Sequence, residues 1–113
     1  KVLAGRRVAP GVRLIVTPGS QSIYRDALKA GYVATLAEAC AVVTNATCGA
    51  CVGGHMGVVG PGEVCITAST RNFKGRMGDP SARIFMGSPA TVAASAIAGE
   101  IASAAEFFAG DLA

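Results

Sequence analysis

Cys48-Gly49-Ala50-Cys51 sets two thiols three positions apart in a glycine-crowded stretch, a spacing that lets both sulfurs reach one metal centre or close a redox disulfide. On the residues alone three readings stay open. A thioredoxin-like dithiol needs the motif to open a long helix whose N-terminus lowers the thiol pKa, and Val52-Gly53-Gly54-His55-Met56-Gly57 is a poor helix start. A structural zinc site could draw on Cys48, Cys51, His55 and Cys65, although His55 and Cys65 stand singly where a zinc ribbon repeats a close pair. The third reading leaves the thiols unligated, as small packing groups. Downstream, Arg71, Lys74 and Arg76 form a basic cluster in a second glycine-rich segment.

Alternating strands and helices are expected to carry these groups. Residues 1–9 read as the end of a helix, and Pro10-Gly11 precedes a compact apolar strand over 12–17. Pro18-Gly19-Ser20 supplies a turn and an N-cap, and Ile23, Ala27 and Ala30 fall at helical spacing before Gly31 stops the helix. A short helix from Thr35 to Cys40 leads into a strand over 41–44. From Asn45 to Gly62 glycine recurs too often for a stable helix, so this is loop. A strand over 63–68, a polar and basic loop over 69–80 and a strand at Arg83-Ile84-Phe85-Met86 follow. Ser88-Pro89 caps an Ala-rich helix running through Ile101. The alternation predicts an α/β fold, a layered α/β/α arrangement on a mostly parallel sheet, in a single domain over 1–113 with no internal repeat.

Composition narrows the functional classes. The chain of 113 residues is 51% hydrophobic and only 15% charged, which argues against disorder, and it has no apolar run long enough for a membrane span. A net charge of +3 with two Tyr, four Phe and no Trp offers little aromatic surface for stacking bases, so nucleic acid is not an expected partner. No secretory signal precedes the first strand, which makes the cytoplasm the default location and disfavours structural disulfides among the four cysteines.

Taken together, Thr47-Cys48-Gly49-Ala50-Cys51-Val52-Gly53-Gly54-His55-Met56-Gly57, Gly60-Pro61-Gly62-Glu63 and Arg71-Asn72-Phe73-Lys74-Gly75-Arg76-Met77-Gly78 closely resemble the aconitase superfamily, and within it the large subunits of 3-isopropylmalate dehydratase and homoaconitase type. The Arg-Asn-Phe-x-Gly-Arg element is far more specific than a Cys-x-x-Cys alone. Val8-Ala9-Pro10-Gly11-Val12, Pro18-Gly19-Ser20 and the run from Gly87 to Ala96 extend the resemblance over nearly the whole chain.

The resemblance implies a hydro-lyase that isomerises a hydroxy di- or tricarboxylic acid by dehydration and rehydration, with this chain as the C-terminal part of the cluster-bearing domain of a large subunit. In that family a 4Fe-4S cluster is held by three thiolates and keeps one iron open as a Lewis acid. Cys48 and Cys51 would be two of the ligands, and the third cysteine would lie upstream, outside this chain. Arg71 and Arg76 would bind substrate carboxylates through planar, permanently charged forks. Lys74, at the variable position between them, is expected to be solvated. Where the family commonly has Asn before the first arginine, Thr70 stands here and would donate a hydrogen bond near the cluster.

Cys40 and Cys65 are expected to be packing residues, His55 a loop residue and Glu63 a loop stabiliser. The catalytic serine base would belong to a swivelling-domain small subunit, so the implied partners are that subunit, the remainder of the large subunit and the hydroxy-acid substrate. Alone, the chain is expected to be inactive and, with a sheet edge uncovered, open to self-association. A cluster-free binding module on the same fold is the alternative.

Overall fold

A computed structural model describes residues 1–107, which fall into two compact units, one formed by residues 1–47 with those from Ala93 onward and the other by Cys48–Val92. The fold is mixed α/β with parallel strand pairing throughout. Among the described residues the strands form two separate two-stranded parallel sheets, where the sequence led us to expect one layered sheet.

In the first unit, β1 (Ile15–Val16) leads through α1 (Gln21–Lys29) and α2 (Tyr32–Glu38) to β2 (Val42–Val43). β1 and β2 pair with Ile15 opposite Val42 and Val16 opposite Val43. Both strands are shorter than the apolar runs that predicted them. The Ser20 hydroxyl caps α1 by accepting from Ile23 N at 3.2 Å, and Gly31 ends that helix as expected. The chain then re-enters a helix at once, so α2 begins three residues earlier than expected and stops before Cys40.

Cys40 takes the left-handed position of the turn that closes α2, with Cys40 N donating to Ala37 O and Ala41 N to Leu36 O, each at 3.0 Å. It is exposed, and its sulfur accepts from Arg7 Nη2 at 3.0 Å, which raises the Arg7 pKa, so it is not the packing residue expected. The N-terminal residues form a turn instead of a helix end. They bury Val2 and Leu3 and then run extended, with Val8 N donating to Ala39 O and Ala9 N to Ala96 O.

In the second unit, β3 (Val64–Thr67) pairs with β4 (Arg83–Met86), Cys65 opposite Ile84 and Ile66 opposite Phe85. The loop between them contains no helix among its residues and folds back through a parallel bridge between Val59 and Gly78. The core of this unit is Val59, Met77 and Ala82, with Ala50, Cys65 and Ile84 packed against it. Cys65 is therefore a packing residue, as expected.

The helix α3 (Pro89–Ala98) begins where Ser88 accepts from Thr91 N at 3.2 Å, with Pro89 in the first turn where its missing N–H costs nothing. It ends at Gly99, short of Ile101. Among the described residues no helix is long and apolar enough to cross a membrane.

Candidate functional site

The cysteine pair sits on a single 3-10 turn, Gly49–Val52, that starts from Cys48. Cys51 N donates to Cys48 O at 3.2 Å and Gly53 N to Ala50 O at 2.9 Å, after which Gly53 takes the left-handed conformation and ends the turn. The glycines at 53, 54 and 57 are the physical reason that no long helix follows. A thioredoxin-like dithiol lacks its helix here.

Two contacts press this turn against the Phe73–Gly78 segment. Ala50 packs on the Val59, Met77 and Ala82 core. A Cβ at Gly53 would stand 3.1 Å from the Arg76 carbonyl oxygen, so the two backbones approach as closely as glycine allows. The result is a direct link between the two motifs: Arg76 Nη2 donates to Cys51 Sγ at 3.8 Å, across 25 positions of sequence.

Arg76 is itself held in place. Arg76 N donates to Phe73 O at 2.9 Å, and its guanidinium carbon lies 5.8 Å from the centroid of the Phe73 ring, a cation–π contact. Its Nε is buried without a hydrogen-bond partner among the described residues. Phe73, Gly53 and Gly78 are the positioning residues that inspection of charge and thiols alone passes over. The Phe within the arginine element, Gly78 just after it and the glycine that follows Cys51-Val52 were the available signal.

The other expected site residues are placed differently. Cys48 is exposed and Cys51 half-buried, and neither is in a disulfide. Arg71 and Thr70 are exposed on a loop shaped by Ser69, whose carbonyl accepts from Asn72 Nδ2 at 2.8 Å and whose hydroxyl accepts from Arg71 N at 3.4 Å. Lys74 is exposed, as expected, and so is His55. Glu63 braces the glycine loop as expected, with Oε1 accepting from Gly60 N at 2.7 Å.

An open cleft of about 480 Å³ is lined by Asn72, Phe73, Lys74, Arg83 and Ile84 among others. Neither thiol and neither motif arginine lines it.

For zinc, the four-residue set is not assembled: no three His, Cys, Asp or Glu side chains converge to hold a metal ion among the described residues. Burial pushes the Cys65 thiol pKa up, and the Glu63 carboxylate adds to the shift, so this sulfur is held protonated and is a poor ligand. The remaining donor set, two thiols on one short turn with a guanidinium aimed at one sulfur, has the chemistry of thiolate ligands to a metal centre or cluster.

An α/β framework that presents a cysteine turn against an arginine segment defines the class, and comparison with known proteins names it. A profile of the aconitase family (aconitate hydratase) matches residues 1–99, and the chain belongs to that family. It is 69% identical over 104 residues to the 3-isopropylmalate dehydratase large subunit of Mycolicibacterium smegmatis, covering 92% of this chain and 25% of that protein. It is 56% identical over 101 residues to the protein of the same name from Aliarcobacter butzleri, covering 89% and 24%. Over 106 residues it is 50% identical to the homoaconitase large subunit of Thermus thermophilus, covering 94% and 25%. The chain thus spans about a quarter of the length of these relatives.

Proposed function

We propose that this chain is the C-terminal part of the cluster-bearing domain of a dehydratase large subunit, within a cytoplasmic hydro-lyase that isomerises a 3-isopropylmalate-like hydroxy acid by dehydration and rehydration. The reading is supported by the family membership and, within the molecule, by the side-chain contact that joins its two motifs, Arg76 Nη2 to Cys51 Sγ. When bound, a 4Fe-4S cluster supplies an open iron that polarises the substrate hydroxyl.

Cys48 and Cys51 would hold that cluster as thiolates, with a third cysteine contributed from outside this chain. Their shared 3-10 turn keeps the two sulfurs on one short, glycine-hinged segment. Arg71 and Arg76 bind and orient the substrate carboxylates. Each offers a planar pair of N–H donors that stays charged at any working pH, so the diacid is held in one orientation while its hydroxyl departs and returns. Thr70 would supply one hydroxyl towards the cluster where the family commonly has an amide. The proton is moved by a serine of the partner small subunit, and the rest of the large subunit completes the substrate pocket. Val64, Phe85 and Met86, exposed here on parallel strands, are the surface that the remainder would cover.

Iron and sulfide content of the complete large subunit, reconstituted without oxygen, tests the assignment. Cys48→Ser and Cys51→Ser are each expected to lose the cluster, while Cys65→Ser keeps it. Retention of a full cluster by both ligand variants would remove the basis of the proposal.

A further inference from the structure

The two arginines of the motif are held in different ways. Arg71 is exposed, with its backbone N–H donating to Ser69 Oγ, whereas the Arg76 guanidinium is engaged on one side by the Phe73 ring and on another by the Cys51 sulfur. The Arg76 carbonyl also lies against Gly53, the residue that ends the cysteine turn. Backbone and side chain of one residue therefore both bear on the segment carrying Cys51.

We infer that Arg76 is a positioning residue for Cys51, donating from Nη2 to its sulfur so as to orient that cluster ligand and stabilise its negative charge, in addition to any contact with substrate. This rests on the proposed role of Cys51 as a cluster ligand. A separation of 3.8 Å is at the long end for an N–H donor on sulfur. Charge-assisted hydrogen bonds are shorter and stronger than neutral ones, so the contact tightens when the sulfur is a metal-bound thiolate. Hydrogen bonds to cluster sulfurs are among the factors that set cluster potential, and partners behind a ligand control how firmly the metal is held. The partnerless buried Nε fits the same role, because a donor kept out of water at a cost is retained where another group takes it up.

The test uses the complete enzyme, large subunit with its small subunit, without substrate, and reads the cluster instead of turnover. Arg76→Met removes the donor at similar length. It is expected to lower the midpoint potential, since the reduced cluster loses a stabilising donor, and to shorten cluster half-life in air by roughly 10-fold or more, the lower end of what such second-layer changes cost. Arg76→Lys, which retains one cationic donor, is expected to recover part of both. A Met variant with a full cluster, unchanged potential and unchanged half-life overturns the inference.

Should the Met variant fail to load, wild-type enzyme labelled with guanidinium-15N arginine keeps the question decidable. Pulsed EPR of the reduced cluster is expected to detect a 15N coupling that Arg76→Lys abolishes, and its absence in the wild type overturns the inference. Wild-type enzyme that accepts no cluster at all overturns the underlying ligand assignment as well, which separates the two failures.

Discussion

Val59 and Gly78 form a parallel bridge in which Val59 N donates to Met77 O and Asp79 N donates back to Val59 O, both at 3.0 Å. The approach is so close that a Cβ on Gly78 would overlap the Val59 carbonyl oxygen, and Gly78 also has a φ of 141°, which L side chains rarely adopt. This bridge ties the loop after the cysteine turn to the segment carrying Arg76. Gly78→Ala is expected to destabilise the unit by about 1–3 kcal/mol from backbone strain alone, with overlap adding to it. Thermal unfolding and iron content of the large subunit would both report it, and an unshifted transition with a full cluster would contradict the bridge.

Arg71 is expected to serve substrate only. Arg71→Lys replaces a planar fork by a point charge, and losing a charged hydrogen bond of about 1.5–3 kcal/mol corresponds to a roughly 10- to 100-fold fall in kcat/KM. Cluster potential should stay at the wild-type value in this variant, in contrast to Arg76→Met. Steady-state kinetics of the assembled enzyme that are indifferent to Arg71→Lys would remove Arg71 from the substrate site.

Asp79 closes the far side of the same loop. Its carboxylate accepts from Ser81 Oγ at 2.6 Å and Ser81 N at 2.8 Å, and these bonds, the hydroxyl first, hold its pKa below the usual aspartate range. A depressed folded-state pKa means that the contribution is fully present above the ordinary aspartate value and disappears as pH falls through the lowered one. Unfolding measured from neutral pH downward should therefore show an acid loss of stability that is reduced in Ser81→Ala. Identical pH profiles for the two proteins would rule the contribution out.

On the proposed assignment the 113-residue chain by itself should not turn over substrate, because it would supply two of three cluster ligands and neither the serine base nor the remaining substrate contacts. Conversion of 3-isopropylmalate, citrate or homocitrate by the purified chain after anaerobic reconstitution would contradict this. The chain should instead self-associate in sedimentation through its uncovered strands, whose exposed residues include Val64 and Phe85.

Local signals were legible in the linear chain because they act over a few residues. Ser20 and Ser88 cap α1 and α3 by accepting from the nearby N–H groups of Ile23 and Thr91, Gly31 terminates α1, and β4 spans the Arg83–Met86 run that predicted it, whereas the stop at Gly99 was passed over in favour of a helix through Ile101. The types and spacing of Cys48 and Cys51 left several readings open, and it was the extended motifs, Thr47–Gly57 and Arg71–Gly78 among them, that carried the resemblance to the aconitase family. Strand extents were not legible at β1 and β2, since an apolar run marks burial while a ladder needs a partner of matching length. Cys40 was misplaced because an exposed thiol at a helix end and a buried one look alike in composition.

What only the tertiary structure decided is the partnership of residues far apart in sequence. Spacing could place Cys51 on a turn and Arg76 on a loop, but it could not bring a guanidinium to a particular sulfur, leave Nε unpartnered or keep Arg71 exposed. Those outcomes depend on the Val59–Gly78 bridge and the bare Cα of Gly53, long-range steric conditions that exist only once the loop has closed, with the Phe73 ring three positions away holding the guanidinium locally.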